Sequence, residues 1–238
     1  MPTPYNLAPA ESCSTCPQRQ ANGFCNMGQE PMEALEAIKF TATYPKGALL
    51  FVEGEQPRGV FILCRGRAKL TTTSTEGRTL IVKIANPGEI IGVSAAILGR
   101  PYEVSAETIE ASQVSFVRRD DFLHFLSAYS EACMRTARQL SEKYESAQRE
   151  IRSLGLAHTT SEKLARLLLS WTQSGEETPN GTRLQVLLTH EEIGQMIGTT
   201  RETVTRLLSE FKRKKLISVK GSNVFVLAKE QMRAMVSI

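Results

Sequence analysis

The segment from His190 to Leu208 constrains this chain more than any other: His-Glu-Glu-Ile-Gly-Gln-Met-Ile-Gly-Thr-Thr-Arg-Glu-Thr-Val-Thr-Arg-Leu-Leu. Two short helices that cross steeply need a small residue where they touch, and Gly194 is placed to supply it. The tight turn between them needs a residue that tolerates left-handed geometry, and Gly198 follows at the right distance. Ile193, Ile197, Val204, Leu207, Leu208 and Phe211 fall where a shared core would be. Thr189 with Glu192 fits a capping box, and Thr200 a second N-cap. This framing turns Arg201, Glu202, Thr205 and Arg206 outward, where a packed core has no use for them. An arginine fork matches N7 and O6 of guanine, and a glutamate accepts from the amino group of cytosine. Downstream, Leu216–Val219 and Val224–Leu227 flank a Lys-Gly-Ser-Asn turn and read as a hairpin wing, with Lys220 at its tip near phosphate. The pattern predicts a winged helix-turn-helix bound to double-stranded DNA, with Thr189, His190 and Thr200 completing the contact set.

Charge placement agrees. The formal net charge is only +4. Yet Arg201–Lys220 holds seven basic residues against Glu202 and Glu210, so that stretch carries +5 and the remainder −1. A local basic patch on a nearly neutral chain suggests a polyanion met through one face. No apolar run approaches the roughly 20 residues of a membrane span, and Met-Pro-Thr-Pro-Tyr is not the start of a leader. A cytoplasmic protein that does not enter membranes is expected.

From about Phe40 to Val117 glycines punctuate strand-like runs, among them Ala48–Val52, Val60–Cys64, Ala68–Thr73 and Thr79–Ile84. Even spacing of this kind predicts an antiparallel β-roll or jelly roll, with a hairpin turn at Glu76-Gly77. The period then changes. Cys133, Ala137, Leu140, Tyr144, Ala147, Ile151 and Leu154 recur at alternating spacings of four and three, in a stretch from Asp120 free of proline and glycine. One long helix with a narrow apolar seam is expected there, paired with its own copy in a homodimer. Gly155 closes it, a hinge runs to Thr160, and a helix from Lys163 ends at Trp171, read as a core residue. Ser174–Gly181 reads as a loop. The expected fold class is therefore α+β. A cysteine-containing segment (1–28) precedes the β-roll (29–119), then come the dimerisation helix and hinge (120–156) and the winged helix-turn-helix (157–238).

Together these features resemble the Crp/Fnr family of transcription regulators. Leu188–Leu208 is close to its helix-turn-helix signature. Lys46-Gly47, Glu53-Gly54, Gly66, Gly77 and Pro87-Gly88-Glu89-Ile90-Ile91-Gly92 are similar to its cyclic-nucleotide-binding-like β-roll. The resemblance implies that Arg201, Glu202 and Arg206 read a TGTGA-like half-site repeated as a palindrome, and that RNA polymerase is a further partner. It also speaks against cyclic AMP as ligand, because the ribose-binding glutamate position holds Val93 and the phosphate-binding pair is Tyr102-Glu103, with Arg100 nearby as an unconventional substitute.

Five cysteines without a secretion signal do not read as a disulfide scaffold. Cys13-Ser-Thr-Cys16 followed by Cys25 resembles the N-terminal triad of Fnr-type members, whose [4Fe-4S] cluster takes four cysteines. The gap before Cys25 is longer than in those members, and the family's fourth position falls on Ser115. Cys133 is then the candidate for a distant fourth ligand, and Cys64 reads as a small core residue. Zinc, or uncommitted or redox-switching thiols, are the other readings of Cys13, Cys16 and Cys25. A small-ligand-responsive regulator without metal is the alternative function. A thiol oxidoreductase, the enzymatic rival, would want its Cys-x-x-Cys beside a βαβ unit that does not follow.

Overall fold

The computed structural model describes residues 5, 7, 12–16, 23–155, 159–179, 181–221 and 223–236, the side chains of 149–155 and 174 aside. The chain divides into two compact units, Met1–Gln148 and Arg149–Ile238. The first opens with helix α1 (Gln29–Ile38), followed by strands β1 (Lys39–Tyr44), β2 (Leu49–Phe51), β3 (Gly59–Arg65), β4 (Ala68–Thr73), β5 (Thr79–Ala85), β6 (Ile90–Ile91), β7 (Ser105–Thr108) and β8 (Ser112–Arg118). They form two four-stranded sheets ordered β1-β8-β3-β6 and β2-β7-β4-β5. Every pairing is antiparallel, and β4 and β5 meet in the hairpin expected at Glu76-Gly77.

Strand β3 is buried on both faces, and its period of two sorts its side chains between two cores. Val60 and Ile62 pack with Phe24, Cys25, Met32, Leu35 and Phe122. Phe61 and Leu63 pack with Phe51, Leu70, Tyr102 and Val114 in the other core. Phe24, Cys25 and α1 therefore lie over one face of the first sheet.

Helix α2 (Val93–Leu98) sits between β6 and β7, and α3 (Arg119–Ala128) follows β8. The single long helix expected from Asp120 is interrupted. Tyr129 adopts extended angles (φ −121°, ψ 100°), and α4 (Ser130–Gly155) starts beyond it. No proline or glycine marks this break. Phe122 and Phe125 are buried in the roll core, and Tyr129 packs its ring against Phe125 at 5.3 Å. Packing sets the direction of α3, and the backbone turns at Tyr129.

Over 26 residues α4 runs about 40 Å. Ala132, Thr136 and Gln139 face the roll and are buried. The Gln139 amide donates to the Ile90 carbonyl at 2.6 Å and accepts from the Ile90 N–H at 3.0 Å, acting as an extra strand partner for the two-residue β6. On the heptad seam Cys133, Ala137, Tyr144 and Ala147 are exposed, Tyr144 at 65%, while Leu140 is half-buried. The side chains of Ile151 and Leu154 lie outside the described residues, as do 156–158 of the expected hinge.

Lys143 points from α4 to the Ile90 carbonyl (3.4 Å). Burial, reinforced by Lys83 and opposed by Glu89, lowers its ammonium to about 8. The unfolded chain holds this proton to about 10.5, so between those values it binds more protons than the folded chain, and stability rises with pH. Lys143→Met is therefore expected to stabilise the protein at pH 7 by up to about 3 kcal/mol and to gain little at pH 10.5. Urea titrations of both proteins at the two pH values check this. A gain that is the same at both, or none at pH 7, contradicts it.

The second unit holds α5 (Thr160–Trp171), a 3-10 turn (Thr172–Ser174), β9 (Glu176–Thr178), β10 (Gly181–Gln185), α6 (His190–Ile197), α7 (Arg201–Arg213), β11 (Ile217–Lys220), β12 (Asn223–Val226) and α8 (Lys229–Val236). Thr159 caps α5 by accepting from the Glu162 N–H. The expected loop before β10 is instead partly strand. β9 pairs with β10 and β10 with β12, so the wing is the edge of a four-stranded sheet ordered β11-β12-β10-β9. Glu176-Glu-Thr178 carries no apolar pattern, and only pairing with β10 makes it a strand. Leu164, Leu168, Leu184, Ile193, Phe211 and Met232 are buried in one core, with Trp171 half-buried against it. Met232 belongs to α8, an element absent from the sequence reading.

Candidate nucleic-acid interface and cysteine cavity

Helix α6 starts with a complete capping box. The Glu192 N–H donates to the Thr189 hydroxyl (3.2 Å), and the Thr189 N–H donates to the Glu192 carboxylate (2.8 Å). It ends at Gly198, whose φ of 67° and ψ of 43° lie in the left-handed region. A Cβ on Gly194 would stand 2.7 Å from the Thr199 carbonyl oxygen, so glycine is what lets the turn close against α6. Thr200 caps α7 by accepting from the Thr203 N–H at 3.3 Å. Val204, Leu207, Leu208 and Phe211 are buried; Arg201, Glu202, Thr205 and Arg206 are exposed along one side.

These exposed residues differ in what already holds them. The Glu202 carboxylate is kept below the usual range by its own backbone N–H, then by the Thr200 hydroxyl and Arg201, so it is an acceptor at neutral pH. Thr205 Oγ1 donates to the Arg201 carbonyl (2.9 Å) and lies 2.9 Å from His190 Nδ1, which ties the start of α6 to the outer face of α7. Thr189 and Thr200 are engaged as caps. Glu210, beside Arg206, pairs with Lys214 at 2.7 Å. Lys220 stands at the end of β11 with its ammonium 6.0 Å from the Phe225 ring centroid. Lys212 to Lys215 cluster at the C-terminal end of α7, where the helix dipole favours cations. That part of the basic patch has a local cause and sits well over a turn of helix from Arg206.

The other site lies in the first unit. Cys13, Cys16, Cys25 and Cys64 line one cavity together with Lys39 and Ser115. Cys13 and Cys16 belong to a turn held on α1, the Cys13 N–H donating to the Glu36 carboxylate (3.3 Å). Cys25 is anchored by its neighbour Phe24, buried and bonded through its N–H to the Gly88 carbonyl (3.1 Å). Cys64 lies on β3, two residues past Ile62 and on the same face. Its Sγ is 3.2 Å from Ser115 Oγ, which is 2.7 Å from Thr41 Oγ1. Lys39 Nζ donates to Cys13 Sγ at 2.7 Å.

The thiols interact electrostatically. Burial first, then Cys64, Cys13 and Cys16, push Cys25 up to about 12, against the pull of Lys39. Burial also raises Cys64, offset by the Ser115 hydrogen bond and Lys39. For Lys39, burial alone would lower the ammonium, but the bond to Cys13 and the nearby thiols and Glu36 raise it on balance. Among the described residues no three His, Cys, Asp or Glu side chains are closed up around a single ion's position. Cys133 is exposed on α4 and does not line this cavity, so the expectation that it joins the other three gives way. The cysteine brought to them is Cys64, which is not the simple core residue expected. Period-two counting does not identify it, because the β3–β8 register shifts between Leu63 and Arg65.

Two family models match in the order of these sites. Residues 41–129 match the cyclic nucleotide-binding domain, and residues 162–235 the Crp-like helix-turn-helix domain. The chain belongs to the Crp/Fnr family. As a member it is a transcription regulator with a cyclic-nucleotide-binding-like domain and a DNA-binding helix-turn-helix. It is 24% identical over 189 residues (79% of this chain, 84% of the other) to the CRP-like cAMP-activated global transcriptional regulator of Mycobacterium tuberculosis. It is also 24% identical, over 185 residues (77% and 87%), to the cAMP-activated global transcriptional regulator CRP of Salmonella typhimurium. Its fold is similar to FixK2 from Bradyrhizobium japonicum (TM-score 0.75, 19% identity, 84% of this chain and 98% of that one). A CooA mutant from Carboxydothermus hydrogenoformans aligns with TM-score 0.73 and 20% identity, over 84% and 89% of the chains. Among the described residues no helix is long and apolar enough to cross a membrane.

In this Crp/Fnr regulator Phe51, Ala95 of α2 and Tyr102 are buried together in the roll core. Tyr102 is buried, donates its hydroxyl to the Gly59 carbonyl (2.7 Å) and stacks on Phe51 at 4.1 Å. Val93 is buried at the start of α2, while Arg100 and Glu103 are exposed.

Proposed function

We propose that this Crp/Fnr regulator binds, as a homodimer, a palindrome of TGTGA-like half-sites centred about one helical turn apart, and that its signal enters through the N-terminal cysteine segment. The observation that carries this reading is the outer face of α7. Arg201, Glu202 and Arg206 are exposed side by side on a helix capped at both its own start and that of α6. Arg206 and Arg201 supply donors for guanine edges, and the ionised Glu202 accepts from cytosine. Lys220 contacts phosphate, and His190, Thr189, Thr200 and Thr205 hold the two helices at the groove. The exposed seam of Cys133, Ala137, Tyr144 and Ala147 supports self-pairing through α4, since an apolar stripe on a long helix gains stability only when covered. The bound dimer acts on cytoplasmic promoters beside RNA polymerase. A signal that repacks α4 changes the spacing of the two α7 helices, and only one spacing fits successive major grooves.

The two relatives at 24% identity, from Mycobacterium tuberculosis and Salmonella typhimurium, are cAMP-activated. The buried Tyr102 and Val93, with the exposed Glu103, support a different input for this chain, because a phosphodiester held in the roll needs paired positive charge. Fluorescence anisotropy with a labelled inverted repeat and a scrambled duplex, at fixed salt, tests the reading. One dimer per palindrome and a preference of at least about 10³ are expected. Addition of cyclic AMP is expected to leave the affinity unchanged. Equal affinity for both duplexes contradicts the site assignment, and a cyclic-AMP-dependent rise in affinity contradicts the choice of input.

A further inference from the structure

Cys13, Cys16, Cys25 and Cys64 come from three separate stretches of chain, yet they share one cavity. Single cysteines are common small core residues. That explanation does not extend to four of the chain's five thiols gathered around a lysine. Lys39 is partly buried with its ammonium on Cys13 Sγ, and a protonated thiol is a weak acceptor for a cation. Metal-bound thiolates would add negative charge beside this ammonium, which Glu36 also faces.

We propose that Cys13, Cys16, Cys25 and Cys64 are the four ligands of one thiolate-bound metal centre, either an iron–sulfur cluster or zinc, with Cys64 as the fourth ligand and Lys39 as its charge partner. The proposal rests on the reading that the signal enters through the N-terminal segment. The all-sulfur donor set is the kind both groups take, and the four sulfurs, which do not close on a single ion's position as they stand, would draw together on binding. Each thiol gives up its proton as its sulfur binds metal, and the protons pass to solvent. Four thiolates leave zinc with a net charge of −2, which Lys39 partly offsets. Cys64 compensates for the serine at position 115. Ser115 lies on β8 opposite Ile62 of β3, and Cys64, two residues further along β3, brings its sulfur within 3.2 Å of the Ser115 hydroxyl. Binding would tie the turn at Cys13–Cys16 and the residue after Phe24 to the central strand of the first sheet.

The test is metal analysis of the full-length protein purified without oxygen. Iron, acid-labile sulfide and zinc are measured per chain, with the visible spectrum, for the wild type, Cys64→Ser, Cys133→Ser and the double variant Cys64→Ser with Ser115→Cys. The wild type and Cys133→Ser are expected to carry a centre near stoichiometry. Cys64→Ser is expected to lose at least about five-fold of it, and the double variant, with the thiol moved to the neighbouring position, to recover it. Iron with sulfide and a charge-transfer band identifies a cluster; zinc alone identifies a mononuclear site; both support the four-thiolate centre. A metal-free wild type, full occupancy in Cys64→Ser, or loss in Cys133→Ser overturns it. Far-UV circular dichroism and thermal melts of Cys64→Ser separate ligand loss from misfolding, and recovery in the double variant does so independently. Palindrome binding is measured on the same samples. A metal-free wild type that still selects the palindrome rejects the metal centre and leaves the DNA assignment standing, and a loaded protein that does not select it does the reverse.

Discussion

Replacing Arg206 by alanine is expected to reduce affinity for the palindrome by about 10²–10⁴-fold while leaving weak, salt-sensitive binding to any duplex. The range follows from one bidentate arginine–guanine contact, about 1–3 kcal/mol, lost in each of two half-sites. Arg206 is exposed, and its neighbour Glu210 is already paired with Lys214, so the substitution removes no packing. The melting temperature should hardly move. Lys212→Ala is the contrast: a change at the far end of α7 should weaken all duplexes by a similar small factor and lower the salt slope without altering selectivity. Anisotropy titrations against the palindrome and against duplexes changed at each guanine of the half-site distinguish the two. Undiminished discrimination in Arg206→Ala would remove α7 from the reading role.

Gly194→Val is expected to disable the second unit by a different route. The added carbon would lie 2.7 Å from the Thr199 carbonyl oxygen and 3.3 Å from the Thr200 carbonyl carbon. Both are backbone atoms in the turn, and that turn is also bonded from Thr199 N–H to the Gly194 carbonyl at 2.9 Å. No flexible side chain can move aside. Either α7 shifts away from α6 or the unit loses about 3 kcal/mol, the upper end of what overpacking costs. For a domain of this size that lowers its melting temperature by on the order of 10 °C or more. Gly198→Ala strains a left-handed residue with open space around it, so it should cost only about 1 kcal/mol. Calorimetry of the full chain, followed by palindrome binding, checks both. A Gly194→Val protein as stable and as selective as the wild type would contradict the contact.

The legible parts of this protein were those whose physical requirements are local. The caps at Thr159, Thr189 and Thr200, the left-handed turn at Gly198 and the outward face of α7 each depend on residues within about one turn of helix, and they stand as read. The strand runs around β3, β4 and β5 were visible for the same reason, since short apolar runs and the glycine turns between them are short-range patterns. Strand β9 and helix α8 were missed because their own residues do not demand those states: Glu176–Thr178 becomes a strand through β10, and α8 through burial of Met232. The break at Tyr129 was invisible because no breaker residue causes it; burial of Phe122 and Phe125 does.

The cysteines mark the same boundary. The chain alone determined that Cys13, Cys16 and Cys25 form a close sequence cluster and that position 115 is a serine. Only the tertiary structure decided that Cys13, Cys16 and Cys25 pack against β3, which brings Cys64 to them and leaves Cys133 exposed on α4. Sequence spacing carries information about neighbours along one helix or strand, because bond geometry fixes those distances. Which faces meet across the fold is set by the joint burial of many side chains, and no single spacing encodes it.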